Sequence, residues 1–185
     1  MSAQPLAQAI ESTKAVLAAV TKEQLGDPTP CASWDVAGLI NHMIGAQHFF
    51  LAGVTGAKPA GDSPDFAAGD FVSAFDDASS QALAAFSAEG VMESTLTTPL
   101  GPMPGAAFAG LASTDAFVHG WDLAKAIGLS TDLAPDLAAA LLEGAQQSIQ
   151  DAFRGPEGAP FGVERAAPDG ATAADRLAAF LGRTV

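Results

Sequence analysis

The stretch Pro104–Gly128, "PGAAFAGLASTDAFVHGWDLAKAIG", reads as one long helix, with proline at its start and glycine just past its end. Phe108, Leu111 and Val118 fall along a stripe that a helix in a bundle turns toward the core. An acid, a histidine and a second acid stand on the same side. Residues four apart on an ideal helix differ by roughly 40°, and residues seven apart by roughly 20°, so Asp115, His119 and Asp122 share one face. A carboxylate and an imidazole placed among apolar side chains are costly unless they are paired, hydrogen-bonded or bound to a metal. The stretch therefore predicts a helical bundle with a polar centre inside it.

The rest of the chain supplies the partners. "PLAQAIESTKAVLAAVTKEQL" carries Leu6, Ile10, Leu17 and Val20 at helical spacing and predicts a first helix from Pro5 to about Leu25. Ser33 is placed to cap a second helix, Trp34 to about Leu51, with Asp35 in its first turn. Gly53 to Gly69 is rich in Gly, Pro, Ala and Asp and reads as a long loop, ordered only if it covers something. A third helix, about Asp70 to Ala88, has Phe71, Phe75, Ala78, Ala82 and Phe86 on one stripe. The Thr/Leu alternation in "ESTLTTPLGPMPG" predicts a short strand or extended crossover near residues 94–100. A fifth helix begins at Pro135 and carries Leu137, Leu141, Ala145, Ile149 and Phe153; after a loop, Thr172 and Asp175 open a short last helix. With no internal repeat and no change of composition, the expectation is one all-α domain over residues 1–185: a four-helix bundle with a short extra C-terminal helix.

Eight Lys and Arg against 21 Asp and Glu give a net charge of −13, which repels nucleic acid and anionic membrane surfaces. No apolar run approaches the ~20 residues that span a bilayer. The single cysteine, Cys31, forms no intrachain disulfide, so the chain reads as a reduced, cytoplasmic protein.

His42 lies between Leu39, Met43 and Ala46 on the apolar face of the second helix and is expected to point into the bundle. Two inward histidines and a carboxylate on facing helices suit zinc or another divalent transition ion. Three protein ligands, His42, Asp115 and His119, leave a coordination position open for water or substrate. Asp122 either orients a ligand imidazole or caps a partner. The competing reading is an ordinary hydrogen-bonded Asp–His pair within one helix. His48, about 240° further round the helix from His42, is expected at the rim. Trp34 and Trp121 read as core or staple residues, and Cys31 as a small buried hydrophobe rather than a nucleophile.

Three segments, "TPCASWDVAGLINHMIGAQHFF", "GPMPGAAFAGLASTDAFVHGWDLAKAIG" and the tail "APFG…DRLAAFLGR", together resemble the actinobacterial metal-binding proteins related to mycothiol-dependent maleylpyruvate isomerase, within the DinB/YfiT-like superfamily. The resemblance implies a DinB-like bundle holding zinc or nickel through His42, Asp115 and His119. The isomerase resembles this chain less closely in having glutamate where Asp115 stands and a longer C-terminal domain. The superfamily further implies a thiol transferase or isomerase that uses mycothiol as cosubstrate and acts on a small electrophile, the metal lowering the thiol pKa. Arg154 and Arg165 would then meet the carboxylate of the thiol, and the Gly53–Gly69 loop would shape the substrate entrance. Apolar composition and the superfamily suggest a homodimer. The rival expectation is a non-catalytic bundle that binds a metal or ligand in a stress-related or structural role.

Overall fold

The computed structural model describes residues 2–57, 64–156, 159 and 161–185. Four helices make the bundle: α1 (Gln4–Leu17), α2 (Val36–Thr55), α3 (Phe71–Phe86) and α4 (Gly105–Ala126). α1 packs along α4, α4 against α2, α2 against α3, and α3 back against α1. A hairpin of β1 (Thr95–Thr98) and β2 (Gly101–Pro104) precedes α4, the strands pairing antiparallel from Thr95↔Pro104 to Thr98↔Gly101. The expected strand is therefore half of a hairpin. Two more helices, α5 (Pro135–Ser148) and α6 (Ala173–Phe180), pack on each other and on the outer side of α4. None of the described helices is long and apolar enough to cross a membrane.

α4 is the shared wall of two cores. Phe108, Ala112 and Leu123 face the bundle, whereas Phe117 and Trp121 face Leu137, Leu141 and Leu177 of the outer pair. A helix buried on both sides needs apolar residues around most of its circumference, which is why a single stripe describes α4 poorly. Behind His119, Gly120 lets α1 come close: a Cβ there would lie 2.4 Å from Thr13 Oγ1, which donates to the Ala116 carbonyl at 2.8 Å. That contact fixes the rotation of α4 about its axis. Gly128, at φ 74°, ends the helix, with the Leu129 N–H on the Ala124 carbonyl and the Gly128 N–H on that of Lys125.

Several boundaries differ from the sequence reading, each for a local reason. α1 stops at Leu17, because Thr21 and Gln24 start a separate turn at Lys22–Gln24, in which the Gln24 side chain accepts from the Thr21 N–H. Asp35, not Ser33, caps α2, accepting from the Gly38 N–H at 2.8 Å. Trp34 thus stands outside the helix. α2 continues to Thr55 and stops at Gly56, φ 71°, so the following loop is shorter than expected; residues 58–63 of it lie outside the described residues. α5 ends at Ser148, and Phe153 sits half-exposed in a separate turn, Asp151–Phe153, instead of on the α5 stripe. The expected cap of the last helix is present: Thr172 Oγ1 accepts from the Asp175 N–H. Asp175 also accepts from the Trp121 indole at 2.9 Å, which satisfies the one polar atom of a fully buried tryptophan.

Candidate metal centre

α2 and α4 bring His42, Asp115 and His119 together. His42 Nε2 lies 3.0 Å from His119 Nε2, and Asp115 Oδ1 lies 3.7 Å from the first and 3.5 Å from the second. At most one proton can sit between the two imidazole nitrogens, so the two rings cannot both donate across that contact. A zinc ion with bonds of about 2.0–2.1 Å at tetrahedral angles spaces its ligand atoms about 3.3 Å apart. The observed separations bracket that value, and the donor set of two imidazoles and one carboxylate is that of a divalent transition ion. The residues fit the cation.

Burial is graded across the cluster. The side chains of His42 and Asp115 are 31% and 22% exposed, that of His119 is 9%, and Asp122 beneath it is fully buried. The exposed side opens on a large cavity of about 2580 Å³, walled by α2, α4, α5 and the loop after α5, with Phe49, Leu141 and Phe161 among its apolar lining. Three donors and an accessible side are the arrangement of a site that keeps a coordination position for a ligand.

Behind the three donors, Asp122 Oδ2 lies 3.0 Å from His119 Nδ1 and accepts from Arg183 Nη2 at 2.9 Å and from Cys31 Sγ at 3.2 Å. Arg183 Nε donates to Asp122 Oδ1 at 3.2 Å. Asp122 thus sits within hydrogen-bonding distance of the His119 ring, the arrangement by which a carboxylate can orient a ligand imidazole. Cys31, His119 and Asp122 form a second group close enough to share an ion. The guanidinium seated on Asp122 opposes a cation there, so the group on α2 and α4 is the better candidate.

Three residues at this site were not expected there. Trp34 stacks on His42, with ring centroids 4.3 Å apart and planes at 22°, and stands edge-on to His119 at 5.9 Å. Cys31 is half-buried and directed at Asp122. Both are positioned by Thr29, whose hydroxyl lies 2.7 Å from the Trp34 carbonyl and 3.0 Å from that of Cys31, sharing its one proton between them, and accepts from the Cys31 N–H, folding "TPCASW" into a tight turn before α2. Arg183 arrives from the C-terminal tail, and no helical spacing relates residue 183 to residue 122; its signal was its place in the tail segment "DRLAAFLGR".

Of the remaining candidates, Arg154 gives Nη1 to the Gly162 and Phe180 carbonyls and lies over the Phe180 ring, which pins the loop after α5. Arg165 borders the cavity and donates through Nε to the Gly182 carbonyl. His48 is exposed, against Phe66. Among the described residues, none of the Gly53–Gly69 loop borders the cavity; the loop after α5 does so instead.

The electrostatics follow from burial opposed by close charge. Burial pushes the Asp115 carboxyl up, but the neighbouring His119 charge and its hydrogen bonds outweigh this and hold it far below the usual carboxylate range. Burial likewise raises Asp122, and His119 and Arg183 bring it down to about 2. For His119, burial favours the neutral ring, yet Asp115 and Asp122 raise its pKa well above 6.5. In the metal-free protein the raised histidine stabilises the fold below pH 6.5 and loses this contribution as pH climbs through its folded pKa; the lowered carboxyls contribute above 3.8 and lose this as pH falls toward 2. The cluster's stabilisation is therefore complete between 3.8 and 6.5. A metal ligand must be deprotonated, so zinc affinity is expected to rise about tenfold per pH unit while His119 is protonated, with release of about one proton. Calorimetry between about pH 6 and 8, in buffers of different ionisation enthalpy, measures both; a flat affinity would contradict the assignment.

Comparison with known proteins gives consistent relatives. The sequence profile of the mycothiol maleylpyruvate isomerase N-terminal domain matches residues 6–124. Uncharacterized proteins of Mycobacterium tuberculosis strains CDC 1551 / Oshkosh and ATCC 25618 / H37Rv are each 43% identical to the chain over 178 residues, covering 96% of this chain and 95% of the relative. No solved structure matches significantly.

Proposed function

The chain belongs to the mycothiol maleylpyruvate isomerase N-terminal domain family, and from this premise we propose that it holds a divalent metal, zinc or nickel, through His42, Asp115 and His119 and activates a low-molecular-weight thiol, mycothiol by family, for transfer to or isomerisation of a small electrophile. The observation that carries the reading is the convergence of three metal-compatible atoms on the floor of a large cavity.

A bound divalent cation lowers the pKa of a coordinated thiol, so that thiolate is available near neutral pH. The chain's own residues do the rest. Asp122 fixes His119 through Nδ1, while Trp34, stacked on His42, restricts the second imidazole. The cavity walls beside the open side of the site are mostly apolar. Small-molecule pockets are commonly about 300–1000 Å³. A cavity of about 2580 Å³ therefore has room for a thiol and an electrophile side by side, as a transfer between two molecules requires. The sulfur forms a bond to one carbon of an activated double bond, whose π electrons pass to the neighbouring atoms and take up the proton the thiol gave; in an isomerisation, rotation about the resulting single bond and cleavage of the C–S bond restore the double bond and return thiol and proton.

The test is thiol conjugation by the zinc- or nickel-loaded protein with mycothiol and model electrophiles. Turnover that disappears in His119→Ala supports the reading. Background rates in a protein shown to carry its metal would sink the catalytic part and leave a binding module.

A further inference from the structure

The tail segment "DRLAAFLGR" has no role in metal ligation, yet its last residue reaches the centre. We propose that Arg183 is a positioning residue of this site: it clamps Asp122 so that the carboxylate holds His119 with Nδ1 toward Asp122 and Nε2 toward Asp115 and His42. The inference rests on the metal reading above and adds to it an element outside the segment matched by the family profile.

The clamp engages two points. Nε meets Oδ1 at 3.2 Å and Nη2 meets Oδ2 at 2.9 Å, so both carboxylate oxygens are held and their plane is set. Without it, a carboxylate on a short side chain could rotate and offer either oxygen to the imidazole. Cys31 donates to the same Oδ2 that faces His119, leaving that oxygen fully engaged.

The guanidinium is itself held. Nη1 donates to the Leu181 carbonyl at 3.2 Å, and the Arg183 N–H bonds to the Ala178 carbonyl, locking the tail to the end of α6. Gly182, at φ 97°, makes the turn; a Cβ there would lie 2.6 Å from the Gly162 Cα, so the tail is pressed against the loop after α5. Arg154 and Arg165 bind the Phe180 and Gly182 carbonyls from that loop. The C-terminal region thus converges on delivering one side chain to Asp122. With its edges on Asp122 and Leu181, Arg183 borders the cavity while its guanidinium is engaged by the protein.

Removal of a group that orients a metal ligand typically weakens metal binding about 10–100-fold. The experiment uses the full-length chain, wild type beside Arg183→Met and Arg183→Lys, with zinc affinity from chelator competition and the visible absorption of the cobalt(II) form. Arg183→Met is expected to bind zinc about 10–100-fold more weakly with an altered cobalt spectrum. Arg183→Lys, a point charge without the planar fork, is expected to restore part of the affinity. Adding Asp122→Asn to Arg183→Met is expected to weaken binding less than Asp122→Asn does alone, because the two act as one unit. Equal affinity and an identical spectrum in wild type and Arg183→Met would overturn this inference and leave the metal reading intact. Failure of wild type to bind zinc or cobalt would overturn both. If Arg183→Met does not fold, Arg183→Lys decides by the same readings: weaker binding with a changed spectrum supports the clamp, and no change overturns it.

Discussion

Asp122→Ala is expected to destabilise the metal-free protein by about 3–5 kcal/mol, the usual loss when one partner of a buried ion pair is removed. Asp122 is fully buried and accepts from both sides of the Arg183 fork and from Cys31, with His119 Nδ1 at 3.0 Å. The substitution leaves a guanidinium only 16% exposed without its counter-charge, and strands the thiol and imidazole donors. Urea denaturation read by linear extrapolation gives the difference. It should be largest above pH 3.8 and shrink as pH falls toward 2, where the wild-type carboxyl takes up its proton. A loss below about 1 kcal/mol, typical of an exposed pair, would show that the clamp does not hold in solution.

The second large effect is stabilisation by metal. A ligand that binds only the folded state at about 100 times its Kd adds about 2.7 kcal/mol, which for a chain of this size raises Tm by about 5–10 °C. Zinc or nickel is expected to do this to wild type, and His42→Ala and Asp115→Ala are expected to respond little. Asp115→Ala also removes the partner of His119, so each variant is compared with its own metal-free Tm and the metal-dependent rise is what is read. Differential scanning calorimetry with and without metal separates the two effects; an equal rise of Tm in wild type and both variants would place the metal elsewhere.

How much of this was legible in the sequence depends on distance along the chain. Asp115, His119 and Asp122 lie within two turns of one helix, so their shared face follows from 3.6-residue periodicity alone. That His42 would meet them followed from its apolar neighbours on α2. The third helix stripe, Phe71 to Phe86, is buried along its length as its spacing implied. The start of α2 was misplaced because Ser33 and Asp35 are both competent caps, and choosing between them moves Trp34 into or out of the helix, although Trp34 packs against the core as its type implied. Only the position of the cap, at Asp35, frees its ring to lie on His42. Cys31 and Arg183 were missed at Asp122 because they lie 91 and 61 residues from it, and only tertiary packing joins them. The end of α5 was overrun because Ile149 and Phe153 continue a helical spacing that the chain abandons at Ser148.

Whether His42, Asp115 and His119 hold one divalent metal is read from elemental analysis. The sample is protein purified without a histidine tag, wild type beside His42→Ala and Asp115→Ala. About one equivalent of zinc or nickel per wild-type chain is expected, consistent with a three-ligand site, and loss of it from both variants. Wild-type protein without bound metal, even after reconstitution, or variants that retain a full equivalent, would contradict it.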